Sequence, residues 1–327
     1  MRVLVVGAGA IGGYFGGRLA EIGRDVTFLV RPKRAAKLAE TGLVIQSPQG
    51  DFHKLAPQTV TASALSQPFD LIILSCKAYD LESALDDLAP AVGPETMILP
   101  LLNGMRHMDK LDARFGAERV LGGQCAISTT LGEDGRILHL NDLHALTYGE
   151  RGSVKPASPE GLAGLFDKEG EETPRIKAVA QLFAGANFQA RLSLGIEQEM
   201  WDKWVFISAG AGITCLMRAA VGDIMAAGAG DLAAALFEEA AEIAAASGFR
   251  LHHAVLARGK ATFTTPGSRI MASMLRDIEK GGAIEADHII GDLLSRAKQP
   301  NPAGLLRIVY AHLKAYEARR AYEAATA

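Results

Sequence analysis

Residues 1–34 constrain the chain more than any other stretch. An apolar run, Val3-Leu4-Val5-Val6, leads directly into Gly7-Ala8-Gly9-Ala10-Ile11-Gly12. A helix-like segment follows, and a second apolar run, Val26-Thr27-Phe28-Leu29-Val30, ends in Arg31-Pro32-Lys33-Arg34. Strand, G-x-G-x-x-G, helix, strand is the dinucleotide-binding fingerprint in its proper context. Gly7 permits the tight turn out of the strand, Gly9 lets the backbone approach a pyrophosphate, and Gly12 lets the helix sit close to the sheet. The N–H groups where the helix starts, at Ala10 and Ile11, face the phosphates.

The end of the second strand selects the cofactor. A site for NAD usually carries an acidic residue there, about 20 residues past the glycines, to hold the ribose 2′-OH. This chain has Arg31, with Lys33 and Arg34 just beyond. A carboxylate would repel a 2′-phosphate, whereas a guanidinium binds one in a bidentate way. The expected cofactor is therefore NADP(H).

With 327 residues, 49% of them hydrophobic, the chain is long enough for two domains with proper cores. A formal net charge of -3 gives no basic excess that would point to nucleic acid as a partner. A core strand directly after Met1 leaves no room for a signal peptide. The most apolar stretch, 204–217, is shorter than the roughly 20 residues of a membrane span and is broken by Ser208, Gly210 and Gly212. Cys76, Cys125 and Cys215 are scattered with no C-x-x-C pair, so neither a disulfide framework nor a zinc site is indicated. These features predict a reduced, cytoplasmic protein without metal or membrane contact.

The first half alternates strand-like and helix-like segments. Leu71-Ile72-Ile73-Leu74 and Met97-Ile98-Leu99 are continuous apolar runs, as suits strands buried on both faces of a parallel sheet. Gly7, Arg31, Lys77 and Asn103 each follow such a run, which puts them on the carboxyl edge where doubly wound sheets bind ligands. Segments 136–140 and 145–148 read as short antiparallel strands extending that sheet. Segment 155–174 reads as an exposed loop, 176–186 as a helix and 188–192 as the last strand. Beyond Gly195 strand signals vanish and helical spacing dominates, with helices expected at 197–216, 231–247, 268–280, 286–297 and 303–324. The expected architecture is an α/β Rossmann-type doubly wound domain, residues 1–194, followed by an all-α domain, residues 195–327. The cleft between two such domains is the natural substrate site.

Reduction by NADPH needs a proton donor at the oxygen that becomes a hydroxyl, and groups that hold the rest of the substrate. Lys203, between Trp201 and Trp204 at the start of an apolar helix, is either that donor or a lysine snorkelling to solvent. Glu285, in Gly281-Gly282-Ala283-Ile284-Glu285-Ala286-Asp287, is either a site residue or, with Asp287, a cap for the helix that follows. Ser273, on the preceding helix, is by spacing an ordinary surface serine.

Several motifs in order resemble the ketopantoate reductase (2-dehydropantoate 2-reductase) family. The resemblance spans nearly the whole chain. It runs through the opening G-x-G-A-I-G-G at residues 7–13, Cys76-Lys77-Ala78-Tyr79, Leu102-Asn103-Gly104-Met105, Trp201-Asp202-Lys203, Ser273-Met274-Leu275-Arg276-Asp277 and Ile284-Glu285-Ala286-Asp287. The resemblance implies a C-terminal helical domain like that of 6-phosphogluconate dehydrogenase, and a place in pantothenate biosynthesis. It implies Lys203 as the general acid that protonates the carbonyl oxygen, and Glu285 as its partner or as a substrate hydrogen-bonding group. It implies Ser273 at the substrate carboxylate, Asn103 orienting nicotinamide and substrate, Lys77 lining the same pocket, and Arg31 on the 2′-phosphate.

Three positions depart from the family's pattern, the first being Leu102, which replaces a residue that is often polar. Asparagines usually follow the catalytic lysine by one and two helical turns, on the same face. Here those positions are Ile207 and Ala211, and Ser208 and Thr214 are the polar residues nearest to hand. The departure leaves the reaction class standing and makes a more apolar 2-oxo acid the alternative substrate. A non-catalytic NADP(H)-binding regulatory module is the more distant alternative, since it needs the fingerprint but not Lys203, Asn103 and Glu285 together. The Ala-rich C-terminal helices suit a homodimer interface and internal packing equally well.

Overall fold

In a computed structural model, which describes residues 1–152, 172–299, 301 and 303–326, the unbroken apolar runs of the first half are strands buried on both faces. In chain order the elements are β1 (Arg2–Val6), α1 (Ala10–Glu21), β2 (Asp25–Leu29), α2 (Pro32–Thr41), β3 (Leu43–Gln46), β4 (Phe52–Lys54) and β5 (Gln58–Val60). There follow β6 (Leu71–Leu74), α3 (Leu81–Leu88), β7 (Met97–Pro100), α4 (Arg106–Phe115), β8 (Gly122–Leu131), β9 (Ile137–Gly149), α5 (Pro174–Phe183) and β10 (Gln189–Leu192). The first sheet is parallel throughout, in the order β5-β2-β1-β6-β7. The strand order reverses between β1 and β6, and such switch points are where doubly wound sheets bind ligands.

Segments 136–140 and 145–148 do not extend that sheet. From Ile137 on, both belong to the single strand β9, which pairs antiparallel with β8 and parallel with β3 and β10 in a separate sheet. The reason lies in α1, which has two glycine faces. A Cβ on Gly16 would meet Phe28 at 2.7 Å and Val5 at 2.9 Å, in the first sheet. Cβ atoms on Gly13 and Gly17 would meet Ile137 at 2.5 Å and Ile45 at 2.7 Å, in the second. A helix bare on two sides is packed by a sheet on each, and Tyr14, Phe15 and Leu19 are fully buried there. The loop expected at 155–174 lies largely outside the described residues, and Pro174 is already the first residue of α5.

The remaining elements are helical: α6 (Ile196–Met217), α7 (Val221–Ala226), α8 (Gly230–Ala246), α9 (His253–Phe263), α10 (Ser273–Glu279), a π-helical turn (Asp287–Gly291) running into α11 (Asp292–Ser295), and α12 (Leu305–Thr326). Gly212 of α6 lets Leu236 of α8 approach, and Gly259 of α9 lies against the Phe237 ring. The helix expected from 268 starts only at Ser273. The carbonyls of Ser268 and Ile270 accept the N–H groups of Gly222 and Val221 at the start of α7, which ties that stretch to another helix. The described residues cluster into two compact units, one of 1–102, 107–152 and 172–197, the other of 103–106, 198–299, 301 and 303–326. Among the described residues no helix is long and apolar enough to cross a membrane.

Candidate active site

The glycine turn has the geometry that its sequence requires. Gly7 has φ +93°, a left-handed conformation natural to glycine, and its N–H donates to the Leu29 carbonyl at 2.9 Å. A Cβ on Gly12 would stand 2.2 Å from Ser75 Oγ and 2.3 Å from the Gly7 carbonyl, so α1 packs here only as glycine. Ser75 in turn donates to the Val6 carbonyl at 3.1 Å, across the switch point between β1 and β6. At Gly9, among the described residues, no heavy atom lies within 4 Å of where a Cβ would stand. Gly9 caps α1, whose first turn, with Ala10, Ile11 and Gly12, has no acidic residue. Open space at Gly9 and a first helical turn without a carboxylate suit a pyrophosphate.

Arg31 caps α2 in extended conformation, and its side chain is 68% exposed. Its guanidinium bonds Asp80 at 2.6 Å, which holds it firmly protonated. Asp80 closes the short 3-10 turn Ala78–Asp80 that follows Lys77. Lys77 itself is exposed just beyond β6. The basic run was legible in the sequence, but Asp80 was not, because it lies far along the chain. Arg34 is also more deeply engaged than a surface loop residue. Its Nε donates to the Ala8 carbonyl at 3.0 Å and its Nη1 to the Gly135 carbonyl at 3.1 Å.

The helical unit holds the other candidates. Lys203 is half-buried on α6 between Trp201 and Trp204, whose exposures are 2% and 0%. Trp201 stacks on Phe249, ring centroids 4.9 Å apart, and the Arg296 guanidinium lies over both indoles. The turn carrying Lys203 is thus pinned by aromatic packing. Ile207, one turn on, is half-buried, and Ala211 is buried.

Ser208 and Thr214 are fully buried and spend their hydroxyls on backbone. Trp204 Nε1 and Ser208 Oγ both donate to the Ile289 carbonyl, at 2.9 and 3.4 Å. The helix expected over 286–297 opens with a π-helical turn at that point, a feature common at functional sites. Thr214 Oγ1 donates to the Gly210 carbonyl at 2.6 Å and accepts from Ala272 N–H at 3.4 Å. Thr214 thereby holds the residue before Ser273, which is exposed at the start of α10.

Glu285 is half-buried two residues before the π-helical turn, and α12 grips the backbone around it. Tyr316 donates to the Gly282 carbonyl and Arg320 to the Gly281 carbonyl, each at 2.8 Å. Asp287 is bound by Tyr310 at 2.6 Å and Lys314 at 3.0 Å, rather than capping the helix by its side chain. Burial pushes the Asp287 carboxyl up, but those two donors outweigh it and hold its pKa low. Asn103 is half-buried, and Gly104 after it has φ +81°. A Cβ on Gly104 would stand 2.9 Å from the His288 carbonyl, so the Asn103 turn abuts the π-helical turn.

One unit therefore holds Gly7, Gly9, Ala10, Ile11, Gly12, Arg31 and Lys77, and the other holds Asn103, Lys203, Ser273 and Glu285. Among the described residues no group of His, Cys, Asp and Glu is placed to hold a metal ion.

Residues 3–153 match the family model described as ketopantoate reductase PanE/ApbA, and residues 195–317 match the model of its C-terminal region. An uncharacterised oxidoreductase of Bacillus subtilis, YkpB, is 39% identical over 98% of this chain and 100% of its own length. The crystal structure of 2-dehydropantoate 2-reductase from Geobacter metallireducens is 26% identical, with a TM-score of 0.81 over 96% of this chain and 99% of that one. A D-mandelate dehydrogenase solved with NADH and anilino(oxo)acetate, 21% identical, shares the fold with a TM-score of 0.80 over 98% of this chain and 99% of that one.

Proposed function

The chain is an oxidoreductase of the ketopantoate reductase family, which uses NADPH, and from this premise we propose that it reduces a 2-oxo acid to the 2-hydroxy acid. Ketopantoate is the first candidate. NADPH, when bound, supplies the hydride to the carbonyl carbon.

The protein's part is proton transfer and positioning. Lys203 hydrogen-bonds the keto oxygen through its ammonium, stabilises the negative charge that develops there and delivers the proton. Glu285 orients the Lys203 ammonium or accepts a hydrogen bond from the substrate. Ser273 donates its hydroxyl to the substrate carboxylate. Lys77 and Asn103 hold the cofactor and the substrate headgroup, and Arg31 takes the 2′-phosphate. The observation that carries this reading is how α6 is tied to the other motif-bearing segments. Trp204 and Ser208 fix the Ile289 carbonyl beyond Glu285, and Thr214 fixes Ala272 before Ser273. Such supporting bonds are what a preorganised site needs.

Another 2-oxo acid with a more apolar tail is the second reading, and a specific observation favours it. With Ser208 and Thr214 committed to backbone, neither hydroxyl replaces amides at positions 207 and 211. A buried substrate hydroxyl left without a partner there costs about 1–3 kcal/mol.

The test is NADPH oxidation with ketopantoate and with apolar and aromatic 2-oxo acids, in the unmodified protein and in Lys203→Ala. Turnover of the preferred substrate should fall about 10²–10⁴-fold in the variant, with NADPH affinity nearly unchanged. A variant within a few-fold of the unmodified rate would mean that the proton comes from elsewhere.

A further inference from the structure

Arg34 is a cationic side chain beside the glycine turn that the proposed chemistry leaves without a task. It stands in the first turn of α2 and reaches back to the Ala8 carbonyl with Nε and across to the Gly135 carbonyl with Nη1. Its Nη2 is closed off from solvent and has no hydrogen-bond partner. Among the described residues no carboxylate pairs with it, and burial alone pushes its pKa down. Arg31 is the opposite case, exposed and already paired with Asp80.

Ala8 lies between Gly7 and Gly9, and its carbonyl shares one planar peptide with the Gly9 N–H. In a trans peptide the two point in opposite directions. Anchoring the carbonyl on Arg34 therefore fixes the aim of the Gly9 N–H away from Arg34. A donor on the carbonyl also polarises the peptide and strengthens its N–H as a donor.

We propose that Arg34 is a positioning residue for the dinucleotide pyrophosphate, acting through the Ala8–Gly9 peptide. The proposal rests on the reading that this turn binds NADPH. The pyrophosphate is common to NADPH and NADH, so Arg34 serves both cofactors, whereas the 2′-phosphate contact discriminates between them.

The experiment measures the dissociation constants of NADPH and NADH by nicotinamide fluorescence in the unmodified protein, Arg34→Met and Arg34→Lys. Ligand-free unfolding midpoints and circular dichroism are recorded for each. Arg34→Met should weaken both cofactors about tenfold, the effect of losing roughly 1.4 kcal/mol, and leave their affinity ratio unchanged. Arg34→Lys, which keeps the charge but not the fork, should fall between. A purely structural role would lower the ligand-free midpoint without moving either constant, and that result overturns the proposal. So does weakening of NADPH alone, which would put Arg34 at the 2′-phosphate. Should Arg34→Met not fold, Arg34→Lys decides by the same criteria. An unmodified protein that binds neither cofactor overturns the underlying reading and the proposal with it.

Discussion

Asp80 gives the Arg31 side chain a competitor. A 2′-phosphate that takes the Arg31 guanidinium either displaces the Asp80 carboxylate, bonded to Nη2 at 2.6 Å, or binds beside it against its negative charge. The pair is largely solvent-exposed, and such pairs are worth about 0–1 kcal/mol. Asp80→Asn should therefore tighten NADPH roughly two- to fivefold and leave NADH unchanged, as a few tenths of a kcal/mol to one would give. Arg31→Asp should abolish the preference for NADPH. Equilibrium titration of both cofactors against the two variants checks this. If Asp80→Asn tightened both cofactors equally, Asp80 would be acting on something other than the 2′-phosphate.

Between α1 and β9 lies a polar cluster inside an apolar layer. Tyr14 bonds His144 Nδ1 at 3.0 Å, His139 is held by Ser47 at 2.8 Å and by the Leu143 carbonyl at 2.9 Å, and the two imidazoles stack. Arg18 of α1 is fully buried beside them. Burial, then His139 and Arg18, lower the His144 pKa below the ordinary 6.5. The folded chain thus binds fewer protons here than the unfolded chain as pH falls from that value. Stability is full above it and declines as pH drops toward the folded pKa. His144→Gln, which keeps a neutral hydrogen-bonding group, should lose less stability between pH 7 and pH 5.5 than the unmodified protein. Urea unfolding at the two pH values measures the difference, and equal losses would clear His144 of the effect.

The same elements show what the sequence could disclose. β1, β2, β6 and β7 were legible because strands buried on both faces read as unbroken apolar runs. The second sheet was not, because His139, Asn141, Asp142 and His144 interrupt β9, and its α1-facing side is recognised only through Gly13 and Gly17. The opening of the helix after Glu285 was illegible for a different reason. It accompanies bonds from Trp204 and Ser208, residues far away in the chain. Lys203 and Glu285 were candidates by residue type and setting, each with an ordinary alternative by spacing, whereas Ser273 stood out only as part of a family motif.

At the scale of the whole molecule, a ligand that binds only the folded chain stabilises it by mass action. NADPH at a hundredfold excess over its dissociation constant should add about 2.7 kcal/mol and raise the unfolding temperature by several degrees. Because the chain comprises two compact units, the scan is read for a shift in each transition rather than fitted to a single step. Differential scanning calorimetry with and without NADPH checks the expectation. An unmoved profile at saturating concentration would mean that the folded protein does not bind it.

Asn103-Gly104 belongs by its contacts to the helical unit although it directly follows strands of the other. That matters for recombination between relatives. A crossover placed between residues 106 and 198 passes on α7 to α12 from one parent and the Gly104 turn from the other. The backbone of Gly104 then meets a stranger's carbonyl where it now meets that of His288. Chimeras of this kind should survive only when the parent supplying the turn also has glycine there. Because that carbonyl is backbone whatever residue stands at 288, gene shuffling would hold glycine at codon 104 without linking it to the codon of residue 288.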